Sequence, residues 1–263
     1  MDWERYLDDS NEKPLDNIVQ GYSRTSIFRK MAFIGDSLSS GEFENRDENN
    51  NPGYFDVFEY SWGQYIARKN GLTAYNFSRG GMTCKEYVQT YADKKGFWDK
   101  EKACQAYVIA LGINDICREL PIGSFDDVDK DNWKNNNTDT VIGAYATIIQ
   151  RYKEISPKAK FFFVTIPNDG RPEKEKEFSD ILFKYTEMFS NCYVIDLRTY
   201  GPNYKSSDLR KKFYLYGHLN PSGYIFTAEL IDSYIDYIVR HNPDDFKEMG
   251  FVGFTLKDVR EEE

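Results

Sequence analysis

Five short apolar runs punctuate a chain that is otherwise rich in charge: residues 31–35 (MAFIG), 72–77 (LTAYNF), 107–111 (YVIAL), 161–166 (FFFVTI) and 193–197 (YVIDL). Each has the length of a strand and is rich in β-branched and aromatic side chains. Their apolar character is continuous rather than alternating, as expected for strands covered on both faces of a parallel sheet. Between them, residues 61–69, 83–91, 139–155 and 172–189 read as helices. A last helix is predicted over 221–240, with Pro221 in its first turn and Ile225, Leu230, Ile235 and Ile238 on a broad apolar face. Strand–helix alternation of this kind predicts an α/β protein, a three-layer α/β/α domain with right-handed crossovers.

Two spacers break the rhythm. Residues 42–59 and 121–137 are polar, rich in Asn, Asp and Gly, and longer than ordinary βα loops. Such loops either shape a binding cleft or hang as solvated insertions. No internal repeat divides the chain, so one domain is expected over 31–240. Residues 1–30 are expected to form an N-terminal extension packed on that core, and residues 241–263 a C-terminal tail.

Charge narrows the functional classes. The 263 residues carry 34 Lys and Arg against 43 Asp and Glu, a net −9. A protein that binds phosphate backbones needs a basic surface, so no nucleic-acid partner is expected. An acidic surface also disfavours anionic membranes, and no run approaches the length of a membrane span. The aromatic share of 16% supplies ample core material. Cys84, Cys104, Cys117 and Cys192 are scattered without CxxC or histidine spacing, which argues against a metal site. Free cysteines and an acidic, polar opening segment make the cytoplasm the expected location.

Candidate chemistry gathers at the carboxyl ends of the predicted strands, where ligands of parallel sheets sit. The first strand runs into Gly35-Asp36-Ser37-Leu38-Ser39-Ser40-Gly41. Ser37 there is either an exposed nucleophile or a cap for the following helix. The second strand leads to Asn76-Phe77-Ser78-Arg79-Gly80-Gly81-Met82-Thr83, where Gly81 either offers an N–H to an oxyanion or serves a tight turn. The third ends in Gly112-Ile113-Asn114-Asp115, and Asn114 is an oxyanion donor or a loop cap. Of two histidines, His218 precedes the last helix within Gly217-His218-Leu219-Asn220-Pro221-Ser222-Gly223-Tyr224, and His241 follows it. His218 can swing over the same sheet edge. His241 is read as structural, complementing the helix's negative end.

Taken in order, GDSL at 35–38, NxxxxGxT at 76–83, GxND at 112–115 and GHxNPxGY at 217–224 resemble the SGNH hydrolases, the GDSL esterase/lipase superfamily. The resemblance spans about 31–240. It implies a flavodoxin-like α/β/α sandwich with a five-stranded parallel sheet and a serine ester hydrolase that uses no cofactor. It also implies Ser37 as nucleophile, His218 as general base, and Gly81 and Asn114 as oxyanion donors beside the Ser37 N–H. In this superfamily an Asp three residues before the histidine usually orients it; here that residue is Leu215. Three readings follow: a backbone carbonyl holds the imidazole and makes a Ser–His dyad, an acid from another loop (Asp169 or Asp208) substitutes, or the site is degenerate. The dyad is the expectation. It predicts an acidic limb in the pH profile near or below about 6.5.

The expected substrate is a small-molecule ester, an acetylated sugar or oligosaccharide. Aromatic side chains in residues 42–60 and 125–133 suit sugar stacking, and no long apolar segment lines an acyl tunnel. The rivals are a short-chain lipolytic esterase or thioesterase and a non-catalytic binding protein that retains the pocket. A nucleotide or flavin binder is disfavoured, because GDSLSSG is neither a P-loop nor GxGxxG. Oligomeric state is not legible.

Overall fold

Met31, Ala32, Phe33 and Ile34 are all fully buried, and the reason lies in the two-sided sheet to which they belong. The computed structural model describes residues 11–168 and 170–252. Its strands are β1 (Lys30–Gly35), β2 (Glu42–Arg46), β3 (Pro52–Asp56), β4 (Thr73–Asn76), β5 (Ala106–Ala110), β6 (Lys160–Val164), β7 (Cys192–Ile195), β8 (Tyr214–Leu215) and β9 (His218–Leu219). Five of them form one sheet in the order β4-β1-β5-β6-β7, and every pairing in it is parallel.

Successive residues of each central strand point to opposite faces. Ala32, Ile34, Tyr107, Ile109, Phe161 and Phe163 enter one core, against the helices Val141–Ile155 and Pro172–Met188. Met31, Phe33, Ala106, Val108, Phe162 and Val164 enter the other, against Trp62–Asn70 and Pro221–His241. Both faces are dry, and that explains the unbroken apolar runs. The three-layer α/β/α architecture is as the sequence predicts.

Three expectations change. Residues 42–59 are no plain loop: β2 and β3 pair antiparallel, with Glu42 opposite Asp56 and Glu44 opposite Tyr54. Their side chains are mostly polar, so an apolar-run criterion passes over them, yet backbone pairing needs no apolar side chain. The helix predicted over 83–91 is segmented into Cys84–Glu86, a π-helical Tyr87–Tyr91 and Ala92–Lys94. Within it Tyr87 is fully buried, its hydroxyl 2.7 Å from that of Tyr152. The spacer 121–137 contains two short helical turns, Phe125–Asp127 and Trp133–Asn136.

Polar groups fasten the segment before β1. Ser23 Oγ donates to Asp232 Oδ1 at 2.6 Å, and Asn70 Nδ2 donates to the same oxygen at 2.9 Å. Lys69 Nζ lies 2.9 Å from the other oxygen of this buried carboxylate. Further along, Arg240 grips Glu12 with both terminal nitrogens, at 2.5 and 2.7 Å. At the other end the last helix runs through His241, and beyond it Phe246 and Met249 are buried in the second core. Residues 253–263 lie outside the described part. No helix among the described residues is long and apolar enough to cross a membrane.

Candidate active site

β1 delivers its last residues to a one-turn helix, Ser37–Ser40. Asp36 caps this turn, its carboxylate accepting from the Leu38 N–H at 3.1 Å. Burial pushes the Asp36 carboxyl up to about 7. Ser37, half-buried, opens the turn at the sheet's carboxyl edge. Its carbonyl accepts from Ser40 Oγ at 3.1 Å and from the Tyr224 hydroxyl at 3.5 Å. That hydroxyl also donates to the Glu42 carbonyl at 2.6 Å, so one tyrosine of the closing helix sets Ser37 against the start of β2.

Asn114 stands in the turn Ile113–Cys117 that follows β5. Its Nδ2 donates to the Met82 carbonyl at 3.2 Å, which ties it to the turn containing Gly81. Gly81 has φ of 70°, a conformation that glycine adopts without strain. Its carbonyl accepts from Arg118 Nη2 at 2.8 Å. Asp115 reinforces the same junction: fully buried, it accepts from the Cys84 N–H at 3.0 Å, and burial raises its carboxyl to about 6.

His218 lies in a minimal antiparallel pair, with Leu215 opposite it across β8 and β9. Leu215 is 41% exposed and carries no acceptor. The acid comes instead from β2. Glu44 Oε2 sits 3.4 Å from His218 Nδ1, a long hydrogen bond, and accepts from the Gly217 N–H at 2.9 Å. Its other oxygen pairs with Arg46. On the far side of the ring, Glu42 Oε1 lies 3.1 Å from Nε2. The Tyr54 ring packs edge-on against the imidazole at 5.6 Å.

Both carboxylates need missing side chains nearby. A Cβ at Gly217 would stand 2.7 Å from Glu44 Oε2, and one at Gly80 would overlap Glu42 Oε2. Burial alone lowers the pKa of His218, but Glu42 and Glu44 outweigh it and hold the imidazole above its ordinary range. Burial pushes Glu44 up, and the Gly217 N–H, His218 and Arg46 overcome it, leaving the carboxyl below the usual range.

The expected dyad is therefore corrected. A carboxylate, not a backbone carbonyl, faces Nδ1, and it belongs to neither loop residue considered from sequence. Asp208 is exposed in the first turn of Ser207–Phe213; Asp169 lies outside the described residues. Glu42 and Glu44 escape an apolar-run criterion because β2 is largely polar, and Glu44 stands 174 residues before the histidine. A period-two signal is present: Glu42, Glu44 and Arg46 alternate with Phe43 and Asn45.

Ser37, Asn114 and His218 line one cavity of about 370 Å³, within the range of small-molecule sites. Gly81 adjoins it through Asn114 rather than lining it. The cavity's inner wall is apolar, with Trp62, Leu197 and Ile231 all nearly fully buried. Of the aromatic loops, Tyr54 and Phe55 are exposed on the hairpin beside His218. The other loop does not reach the site: Phe125 packs on Tyr185, and Trp133 lines a separate cavity. Among the described residues no group of three or more His, Cys, Asp and Glu is placed to hold a metal ion.

Similar architectures occur among solved structures. A protein from Lactobacillus plantarum superposes with TM-score 0.59 at 16% identity, covering 80% of this chain and 97% of its own. A family two carbohydrate esterase from Clostridium thermocellum, in complex with cellohexaose, gives 0.52 at 16%, covering 89% of this chain and 66% of its own. An acetyl xylan esterase gives 0.50 at 19%, covering 78% and 99%. At these identities the likeness establishes the fold. No curated protein sequence matches. The family model of the GDSL-like lipases and acylhydrolases matches residues 31–231, most of the chain and all four motif blocks, and the protein belongs to that family of ester hydrolases.

Proposed function

We propose that the protein is a serine carboxyl-ester hydrolase in which Ser37 attacks, His218 carries the proton, Glu44 orients His218, and Asn114, Gly81 and the Ser37 N–H hold the oxyanion. The observation that carries this reading is the cavity shared by Ser37, Asn114 and His218, with Glu44 against the outer ring nitrogen. In the first half-reaction the Ser37 hydroxyl proton passes to Nε2 while Oγ bonds to the ester carbonyl carbon. The C–O bond to the alcohol then breaks, and His218 returns the proton to the departing oxygen. Water repeats the sequence on the acyl-enzyme and releases the acid.

Glu42 sets the condition for this cycle. A protonated imidazole donates from both nitrogens and suits a carboxylate on each side. Once neutral, with Nδ1–H kept on Glu44, His218 presents an Nε2 lone pair that repels the lone pairs of Glu42. Deprotonation thus releases Glu42 from Nε2 and frees that nitrogen for Ser37. Glu42 at Nε2 also favours a second reading, a binding protein whose base is held unavailable.

The substrate class proposed is an acylated carbohydrate of small size, carrying acetyl or a somewhat longer acyl group. Support comes from the carbohydrate esterase and acetyl xylan esterase of like fold, and from Tyr54, an exposed aromatic ring packed beside His218. The apolar wall leaves room beyond an acetyl group. Labelling by a fluorophosphonate, together with turnover of a panel of acetyl, butyryl and octanoyl esters, tests the reading. Wild type should take one label and Ser37→Ala none. Equal labelling of both sinks the assignment of Ser37; no label in either, with no turnover, sinks the hydrolase and leaves the binding protein.

A further inference from the structure

The cavity carries a charge pattern that ester hydrolysis does not require. The chain as a whole is acidic, at net −9, yet Arg210 stands in the cavity lining, and among the described lining residues the one carboxyl is that of Asp36. Burial holds that carboxyl near pKa 7, so at neutral pH it contributes only part of a charge. Glu42 and Glu44 are not lining residues; they are turned to His218, Gly217 and Arg46.

Arg210, on the helix Ser207–Phe213, is half-buried and held on two sides. Its guanidinium lies 4.2 Å from the centre of the Tyr214 ring, and Nη2 donates to the Tyr216 carbonyl at 3.3 Å. Among the described residues no carboxylate pairs with it. A guanidinium has five N–H donors, and this one spends a single bond on the protein. Stacking fixes the plane of the rest, the geometry that takes a carboxylate or phosphate by two parallel hydrogen bonds. The inner wall of Trp62, Val164, Leu197 and Ile231 offers a charge nothing. An anionic group is therefore kept at the mouth, and the buried end receives the neutral acyl chain.

We infer that Arg210 is the anion-binding residue of the substrate pocket, and that the preferred ester carries a carboxylate or phosphate on its alcohol side. The inference rests on the ester hydrolase reading above and narrows it to anionic alcohols. Phenyl acetate, 4-acetoxybenzoate, 4-acetoxyphenyl phosphate and phenyl hydrogen succinate separate the cases. The wild type should turn over one or both anionic acetates with at least tenfold higher kcat/KM than phenyl acetate, a ratio that shrinks as salt is added. The carboxylate and phosphate arms identify the anion. In Arg210→Gln the ratio should collapse toward one, and Arg210→Lys should restore part of it.

A ratio near one in wild type, with phenyl acetate still hydrolysed by way of Ser37, overturns the inference and leaves the hydrolase intact. Preference confined to the succinate puts the anion on the acyl side and also overturns it. Calorimetry with 4-hydroxybenzoate and phenyl phosphate reads the same site without turnover. Binding to wild type but not to Arg210→Gln supports the subsite even if no ester is cleaved; no binding in either, with no turnover, ends it. Circular dichroism of Arg210→Gln confirms that the folded chain is being compared.

Discussion

The chain's two histidines both lie beside glutamates, and they end in different trades. His241 closes the last helix with Nδ1 2.8 Å from the Tyr237 carbonyl and its ring stacked on Tyr237 at 3.9 Å. Glu12 Oε2 is 3.6 Å from its Nε2, but both oxygens of that carboxylate are already taken by Arg240. The pair fastens the N-terminal segment to the helix. At His218, Glu44 also serves an arginine but gives only one oxygen to it, and the other reaches Gly217 and the ring. Beyond the second nitrogen lies another carboxylate and an open cavity. A histidine–glutamate contact is a fastening in one place, and in the other it suits the proton carrier proposed above, because of what stands beyond Nε2.

The contrast is broken or sharpened by substitution. Ser37→Ala and His218→Ala should each lower kcat/KM by roughly 10³-fold or more, while His241→Ala stays within about twofold of wild type. Equal losses at the two histidines in a steady-state ester assay would erase the distinction. Glu44→Gln should cost on the order of 10²–10⁴ in kcat with little change in KM, since the imidazole loses the group that selects its tautomer. Its counterpart, Glu12→Gln, should leave kcat alone and remove roughly 2 kcal/mol from stability in a denaturant melt, less than a fully buried pair because Arg240 is partly exposed. Asn114→Ala should reduce kcat by about 10²–10³ with KM within a few-fold; a pure KM effect would make Asn114 a substrate-binding group.

Smaller effects appear in the pH profile. The base must be neutral to accept the serine proton, so kcat/KM climbs as His218 deprotonates. Because Glu42 and Glu44 raise its pKa, the acidic limb should lie above the ordinary imidazole range, not at or below it as a dyad requires. Glu42→Gln removes one source of the rise and should move the limb to lower pH; an unmoved limb means Glu42 does not govern Nε2. Least of all should Leu215→Asp matter, shifting the limb by less than about half a pH unit, since Glu44 already faces Nδ1.

How far the sequence reached depended on the kind of force involved. Phe161, Phe162 and Phe163 announce a strand buried on both faces, and the structure has β6 there with each residue at zero exposure. Asn220 and Pro221 mark the start of the closing helix, and Asn220 Oδ1 caps it by accepting from the Gly223 N–H at 2.9 Å. The motif residues Ser37, Asn114 and His218 likewise converge on one cavity. The acids did not show. Glu42 and Glu44 acquire their position from a hairpin held by backbone hydrogen bonds, and from two glycines that stand aside for them. Pairing between segments 174 residues apart leaves no local periodicity on the histidine side, where Leu215 points to a dyad held by a backbone carbonyl rather than to an acid on β2.

The ties at Ser23 bear on what counts as a part of this molecule. Descent groups residues 31–231, but cooperativity draws a different line. The shared boundary passes between Asp232 and its neighbours, with Ser23 falling before it and Asn70 inside. A chain trimmed to the matched stretch would lose that buried carboxylate and Ser23 with it, leaving Asn70 only its bond to the Ile66 carbonyl at 3.1 Å. The matched stretch is thus smaller than the smallest piece of this chain that should melt as one.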